Sequence, residues 1–348
     1  MRELESSAQR TTSSNREPNL SEPQHDISKH EEGFLVTGTL QLSLPVCVTI
    51  IYVPLMLFGL LGNILTILVV WLRPHMRSST YLYLSSMAIS DLLILLLLPL
   101  DLYKLWRPRP WPLGDLACKL TMFLSECCTF CTILHITFLS LERYLAVCWP
   151  ITAKTLVTRR RTRAIIGCLW LGAAVSAAPV LLMVGVEDAG WSGWDGEHCR
   201  CTQYAISSGL LSAMMILSNL YFLVPLSILG LVYSLIGRTL WLRPKSSRKE
   251  QSHRNTVKML GVIVLAFVLC WLPFHVGRTI FSLSLGSYFN LVSSVLFYLS
   301  AAINPLLYNL MSARYRLAVR SLVRRRSQTQ AQHLRTLTVR QSTTTWTE

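Results

Sequence analysis

Charged residues are scarce in this chain. Only 15% of its 348 residues are Asp, Glu, Lys or Arg, whereas 51% are apolar. A soluble domain of this composition would expose far too much apolar surface to water. The shortage of charge therefore excludes an ordinary soluble protein and favours one that lies in a membrane.

Residue patterns of enzymes and transporters are also missing from the sequence. No two histidines have the His-Glu-x-x-His spacing of a zinc hydrolase, and His135 and His275 each stand alone in an apolar stretch. No internal repeat relates one half of the chain to the other, as it does in many transporters. We therefore expect no catalytic residue, no metal site and no enzyme activity.

Seven long apolar stretches are present instead. Each reaches or exceeds the roughly 20 residues that a helix needs to cross the hydrocarbon core. They lie at 44–71, 79–103, 116–148, 164–184, 207–237, 256–281 and 287–311. The sequence thus predicts an all-α membrane protein, a seven-transmembrane helix bundle at 44–312, preceded by a polar tail at 1–43. Residues 313–348 are expected to form a short amphipathic helix 8, which binds membrane lipids, and a cytoplasmic tail.

The basic residues give the orientation of the bundle. Arg73 and Arg77 follow the first stretch, and further clusters occupy 154–163, 243–254 and 314–326. Because short cytoplasmic loops carry an excess of Lys and Arg, these segments should face the cytoplasm and anionic lipid. We expect a multi-pass protein of the cell membrane with an extracellular N-terminus, and no nucleic-acid partner.

The N-terminal tail fits that orientation. Its first 40 residues contain no apolar run preceded by basic residues, so we expect helix 1 to act as an uncleaved insertion signal. Asn19 begins an Asn-Leu-Ser sequon and is the predicted glycosylation site.

Six of the ten cysteines lie inside apolar stretches, where cysteine is usually a small buried hydrophobe. Cys118 differs, because it begins the third stretch on the oxidising side of the membrane. The loop at 185–206 offers Cys199 and Cys201 as partners. Spacing and charge do not decide between them.

Three motifs contain polar groups or prolines that are expensive in lipid and are therefore functional candidates. The first is Glu142-Arg143-Tyr144, at the end of the third stretch. The second runs from Phe267 to His275 and includes Trp271 and Pro273. The third is Asn304-Pro305-Leu306-Leu307-Tyr308. In this order and separation they resemble the rhodopsin-like, or class A, G-protein-coupled receptors, over roughly residues 40 to 325.

The resemblance implies a set of switch residues. Arg143 would be held in a closed arrangement by Glu142 until a partner protein inserts. Pro273 kinks helix 6, and Trp271 repacks when the kink moves. Tyr144 belongs to the first motif. Tyr233, Phe267, Asn304, Pro305 and Tyr308 complete the set, and the tyrosines would engage Arg143 after helix 6 swings out.

The resemblance also implies a disulfide and an ion site. The disulfide would join Cys118 to Cys199. No cofactor is implied beyond an allosteric sodium ion at Asp91, Thr132, Ser300 and Asn304, and the residues usual in the family are replaced at Thr132 and Ser300.

Residues of the outer half of the bundle limit the class of ligand. No lysine lies in 287–311, which excludes a retinal Schiff base, and Ser125 stands where amine receptors carry an aspartate. Two acids, Asp101 and Glu126, accompany one base, Arg278. This set suits a ligand with a cationic end, although a purely structural ion pair is the alternative reading.

Segments in all seven stretches resemble the motilin and ghrelin receptor group. Asp101-Leu102-Tyr103-Lys104 and Leu134-His135 are more similar to the motilin receptor, whereas Thr256-Val257-Lys258-Met259-Leu260 and the final Trp346-Thr347-Glu348 are more similar to the ghrelin receptor. We favour the motilin side, with the ghrelin receptor as the alternative and a constitutively active orphan receptor as a lower one.

Membership of this group implies a peptide-hormone ligand, a heterotrimeric G protein of the Gq type that raises intracellular calcium, and arrestin as a further partner. The ligand's amino end would contact Asp101, Glu126, Phe274, His275 and Arg278.

Overall fold

The computed structural model describes residues 24–76, 78–107, 111–187, 198–242, 248–281, 287–312, 315–322 and 324. Within these ranges, side chains are described except at 24–44, 75, 198, 248–250, 252–253, 256, 259, 274, 278–281, 287–290 and 311. The chain divides into two compact units, residues 1–47 and 48–348. In the first unit the described part, 24–47, is helical.

Helices account for most of the described chain. They are α1 (Gln24–Leu72), α2 (Ser79–Trp106), α3 (Gly114–Cys148), α4 (Pro150–Leu156), α5 (Arg159–Ala177), α6 (Val180–Met183), α7 (Gln203–Ser207), α8 (Leu210–Leu242), α9 (Arg248–Phe281) and α10 (Ser287–Met311). A 3₁₀ turn covers Pro74–Met76, and 315–322 forms a further helix, α11.

Seven spans in the described residues are long and apolar enough to cross a membrane. They fall on α1, α2, α3, α5 with α6, α8, α9 and α10, as the sequence predicts. The predicted seven-transmembrane fold is therefore confirmed. The segment α11 lies at the predicted position of helix 8.

The helix α3 lies at the centre of the bundle. Within its most apolar window 67% of the residues are buried, compared with 22% for the span Arg159–Met183. It packs against α2, α5, α8 and α9 and also contacts the hairpin described below. Residues on α3 are therefore in a position to link the two ends of the bundle.

Close packing at Gly62 brings α1 against α10. A methyl group added at Gly62 would lie 2.8 Å from Cβ of Pro305, so only glycine fits there without a shift. Asn63, one residue later, donates from Nδ2 to the carbonyl of Ala301 at 2.9 Å. These contacts position the Asn304-Pro305 motif.

Candidate ligand and signalling site

A short hairpin lies against the outer end of α3. Strand β1 (Val184–Glu187) pairs antiparallel with β2 (His198–Cys201). A disulfide joins Cys118 on α3 to Cys199 on β2, with the two Cα atoms 5.6 Å apart. The predicted pairing with Cys199 is confirmed, and Cys201 instead lies opposite Val184 in the hairpin register.

Asp115 provides a second attachment for this hairpin. Its Oδ1 accepts a hydrogen bond from the backbone N–H of Val186 at 3.0 Å, and its Oδ2 lies 2.6 Å from Nζ of Lys119. A methyl group at Gly185 would be 3.1 Å from Asp115 Oδ1, so the strand passes close to the carboxylate. The hairpin is thus fixed to α3 by one covalent and one hydrogen-bonded contact.

The two predicted ligand acids have different surroundings. Glu126 is buried on α3, with 8% of its surface exposed. The Asp101 side chain is 48% exposed and accepts a hydrogen bond from the hydroxyl of Tyr298 on α10. Asp101 therefore ties α2 to α10 as well as facing solvent.

Sequence reasoning missed Lys104 as a partner of Asp101. Its Nζ lies 3.6 Å from Asp101 Oδ1 and 5.0 Å from the centre of the Trp111 ring. The i,i+3 spacing on a helix was the available signal for this pair. Asp101 thus already has an internal cation beside it.

Aromatic side chains form a layer between α8, α9 and α10. His275 is 3% exposed and stacks on Phe222 with ring centres 4.6 Å apart. Trp271 lies 5.3 Å from Phe297 and 5.8 Å from Phe267. These rings connect α8, α9 and α10, so a change at His275 reaches Trp271 directly.

Three predicted site residues fall outside the description. The side chains of Phe274 and Arg278 are among those not described, and Asn19 lies before the described residues. Their roles stay predictions.

Polar residues gather below Trp271. Asp91 is 1% exposed, and its Oδ2 accepts a hydrogen bond from Asn304 Nδ2 at 3.0 Å. The hydroxyl of Thr132 lies 2.8 Å from that of Ser90, and Ser300 donates to the carbonyl of Phe297 at 2.6 Å. A small cavity beside them is lined in part by Thr132, Trp271, Ser300 and Asn304.

This donor set fits a sodium ion chemically. One carboxylate with neighbouring hydroxyl oxygens supplies hard oxygen ligands of a single net negative charge. Asp91, Thr132, Ser300 and Asn304 would be the residues that hold it, and the last three line the cavity. The cavity has room for about one water-sized particle.

At the end of α3 that is predicted to face the cytoplasm, Glu142 has partners on two other helices. Its carboxylate accepts hydrogen bonds from Ser79 Oγ on α2 and from Thr162 Oγ1 on α5, the latter at 3.2 Å. The two hydroxyls also lie 2.9 Å from each other. Among the described residues no ion pair joins Glu142 to Arg143. The latch role of Glu142 stays a prediction, and these hydroxyls are its observed partners.

Two tyrosines, Tyr81 and Tyr233, lie near Arg143. The guanidinium interacts electrostatically with Tyr233 and Tyr81 as well as with Glu142. The hydroxyl of Tyr233 lies 3.4 Å from Oγ of Ser140, which is about one helical turn from Arg143 on α3. The Tyr144 hydroxyl accepts a hydrogen bond from Trp149 Nε1 at 3.4 Å.

The end of α10 is tied to α11. Tyr308 is 1% exposed and meets Tyr315 edge to face, with ring centres 6.3 Å apart. The Tyr315 hydroxyl lies 2.9 Å from Thr66 Oγ1 on α1. Arg316 Nη1 donates to the carbonyl oxygen of Leu310 at 2.7 Å. The three helices α1, α10 and α11 therefore meet at Tyr315.

A seven-helix bundle with a disulfide-tied hairpin at one end and buried polar motifs toward the other is the arrangement of a membrane receptor. The family described as "7 transmembrane receptor (rhodopsin family)" matches residues 62–308. The chain belongs to this family. Its members are receptors and not enzymes.

Comparison with similar proteins shows to which group within this family the chain belongs. Growth hormone secretagogue receptor type 1 of Sus scrofa is 52% identical over 293 residues, covering 79% of this chain and 80% of the relative. The motilin receptor of Homo sapiens is 43% identical over 330 residues, covering 79% and 80%. Neurotensin receptor type 1 of Rattus norvegicus is 33% identical over 313 residues, covering 78% and 74%.

The chain is thus a peptide G-protein-coupled receptor of the ghrelin and motilin receptor group. Our preference for the motilin side is not supported, because the growth hormone secretagogue receptor has the higher identity over a similar share of the chain. The few segments on which that preference rested are outweighed by the comparison over 79% of the chain.

Proposed function

We propose that this protein is a cell-surface receptor for a ghrelin-type peptide hormone. The observation that carries the proposal is the 52% identity to growth hormone secretagogue receptor type 1, against 43% to the motilin receptor. The proposed orientation puts the N-terminus and Asn19 outside the cell. Motilin is the second candidate ligand, because the Asp101–Lys104 segment and Leu134-His135 are more similar to its receptor.

The outer acids supply the recognition chemistry for a peptide amino end. Glu126 is a carboxylate buried in the middle of an apolar helix, and such a group is retained where it binds a cation or a donor. In this proposal Glu126 is the main acceptor for the ligand's cationic end. In this proposal the ligand's amino end also contacts Asp101, Phe274, His275 and Arg278.

The proposed signal travels along α9. Ligand contact at His275 changes the packing of Trp271, which lies against Phe267 and Phe297. Pro273 provides the flexible point in the helix. Movement of α9 would open the cytoplasmic face around Arg143 to a Gq-type G protein, and later to arrestin.

Sodium is proposed as an allosteric ligand at Asp91, Thr132, Ser300 and Asn304. A bound ion would neutralise the buried carboxylate and favour the closed arrangement of α3 and α10. Replacing sodium in the medium with a larger monovalent cation should then raise ligand-independent signalling. The Asp91→Asn variant should lose this dependence, and equal sodium dependence in both proteins would argue against the site.

The first experiment measures intracellular calcium in cells that express the chain. The cells are challenged separately with acylated ghrelin, unacylated ghrelin and motilin. We expect acylated ghrelin to be the most potent. The Glu126→Gln variant should need at least about tenfold more peptide, since one charge-assisted hydrogen bond is worth roughly 1.5–3 kcal/mol.

A matched control uses Glu187→Gln, which alters an acid on the hairpin that pairs with Arg200 at 3.8 Å. This variant should respond nearly as the parent does. A response to motilin alone would move the assignment to the second candidate. Silence to all peptides, with surface expression confirmed by an extracellular tag and with basal signalling present, would support the orphan alternative.

A further inference from the structure

The helix α5 carries none of the predicted ligand residues, yet it is bonded to a helix of the aromatic layer. Oγ of Ser176 on α5 and the hydroxyl oxygen of Tyr221 on α8 lie 2.6 Å apart. One hydroxyl therefore donates to the other in a hydrogen bond. Both side chains are partly buried, and this bond fixes the direction in which the Tyr221 ring points.

The ring of Tyr221 lies against α3. It stacks on Phe130 with ring centres 4.1 Å apart and planes 21° from parallel. Phe130 is 0% exposed and belongs to one apolar cluster with Ala173 and Ala177 of α5. Tyr221 packs on the same cluster. The Tyr221 side chain is therefore held by α5 at its hydroxyl and by α3 at its ring.

Phe130 lies four residues after Glu126, the acid that is proposed to bind the ligand's cationic end. Residues four apart in a helix lie on the same face. Both side chains are buried, with 8% of Glu126 and 0% of Phe130 exposed. A rotation or shift of α3 that moves Phe130 relative to Tyr221 therefore carries Glu126 with it.

The next residue on α8 makes the corresponding contact with α9. Phe222 stacks on His275 with ring centres 4.6 Å apart, and the ring of His275 lies 6.2 Å from that of Trp271. Two consecutive residues, Tyr221 and Phe222, thus connect α8 to the helix of the ligand acid and to the helix of the proposed signal. The orientation of α8 at this level sets both contacts at once.

We propose that the hydrogen bond between Ser176 and Tyr221 positions Glu126 for the amino end of the peptide. Tyr221 is then a positioning residue, which acts through Phe130 and not through a contact with the ligand. This role rests on the proposed function, in which Glu126 accepts the ligand's cationic end. Recognition of a charge by one carboxylate depends on where that carboxylate lies, because a hydrogen bond weakens steeply when its distance or angle is wrong.

The test is a dose-response curve in the calcium assay with acylated ghrelin, or with motilin where only motilin activates the parent. Tyr221→Phe removes the hydroxyl and keeps the stacked ring, and Ser176→Ala removes the other partner. Each change should raise the peptide concentration for half-maximal response about threefold to tenfold, the factor for losing one neutral hydrogen bond. Surface expression and the response at saturating peptide should stay near those of the parent. The double variant should need no more peptide than either single variant, because both lose the same bond.

Two variants are matched controls. Ser176→Thr keeps a hydroxyl at the same position and should respond as the parent does. Ser227→Ala removes a hydroxyl of α8 that donates to the carbonyl oxygen of Leu223 in the same helix, so the potency should not change. A Ser227→Ala variant as impaired as Tyr221→Phe would overturn the proposal.

The Glu126→Gln background separates positioning from a general structural role. Because Tyr221 acts through the Glu126 carboxylate, Tyr221→Phe should change the potency by less than about twofold once that charge is gone. The same loss in both backgrounds, or equal potency of the parent and Tyr221→Phe, would overturn the positioning role while the proposed function stands. A parent that responds to no peptide, or a Glu126→Gln variant that needs no more peptide than the parent, would instead remove the proposed function and this role with it.

Discussion

Thr162 Oγ1 donates a hydrogen bond to the carboxylate of Glu142 over 3.2 Å and thereby joins α5 to α3 at the cytoplasmic end. Ser79 adds a donor from α2 to the same carboxylate. Three helices therefore meet on one buried charge. Any movement of α3 that carries Glu142 away must break these bonds.

The Thr162→Val variant tests this contact. Valine has nearly the same shape but no hydroxyl, so Glu142 loses the donor from α5 and keeps the Ser79 donor. We expect a loss of about 1–3 kcal/mol of stability, the range for a hydrogen bond to a charged group, measured by thermal unfolding in detergent. Thr162→Ser keeps the hydroxyl and should unfold near the parent midpoint. Equal midpoints for the valine and serine variants would show that the bond contributes nothing.

The outer disulfide gives a second prediction. Cys118→Ser or Cys199→Ser should destabilise the receptor by about 2–4 kcal/mol, because the bond closes a loop with a sequence separation of 81. Loss of the bond should also weaken the peptide response in the calcium assay. Cys201→Ser provides the control, since Cys201 lies in the hairpin opposite Val184 and outside the bond. A Cys201→Ser variant as impaired as Cys199→Ser would contradict the pairing.

Close packing between α1 and α10 gives a third prediction. Gly62→Ala places a methyl group 2.8 Å from Cβ of Pro305, and overpacking of this kind costs about 1–3 kcal/mol. The variant should show less receptor at the cell surface and a lower unfolding midpoint. Gly167→Ala on α5 is the matched control, because its added methyl group meets nothing within 4 Å. There the change should be neutral or stabilising.

The ion pair of Lys104 with Asp101 gives a fourth prediction. Its ammonium group lies 3.6 Å from Asp101 and competes with any cationic ligand group for that acid. Lys104→Met should therefore raise the potency of a peptide with a cationic amino end. The gain should be at most about fivefold, since partly exposed ion pairs are worth roughly 0–1 kcal/mol. Calcium dose-response curves measure it, and Lys104→Arg, which keeps the charge, should behave as the parent. A fall in potency would mean that Lys104 itself helps to hold the ligand.

Much of the fold follows from composition along the chain. The predicted stretch 79–103 corresponds to α2, and 116–148 corresponds to α3 within two residues. This agreement is expected because a membrane span must satisfy its own backbone hydrogen bonds and bury its apolar side chains in lipid. The candidate site could be predicted from the sequence less completely than the fold. The sequence left Cys199 and Cys201 open until a family resemblance was used, and it did not find the cation beside Asp101.

The sequence by itself determined the class of protein, through seven apolar helices and the motifs at Arg143, Trp271 and Pro305, and its loop charges predict an orientation that stays a prediction. Each of these depends on a local property, such as residue polarity, proline geometry or loop charge. Only the tertiary structure decided that Glu142 binds Ser79 and Thr162, and that Tyr83 lies against His135. Those contacts join residues 20 to 63 positions apart, and the packing of separate helices brings them together. No periodicity within one helix carries that information.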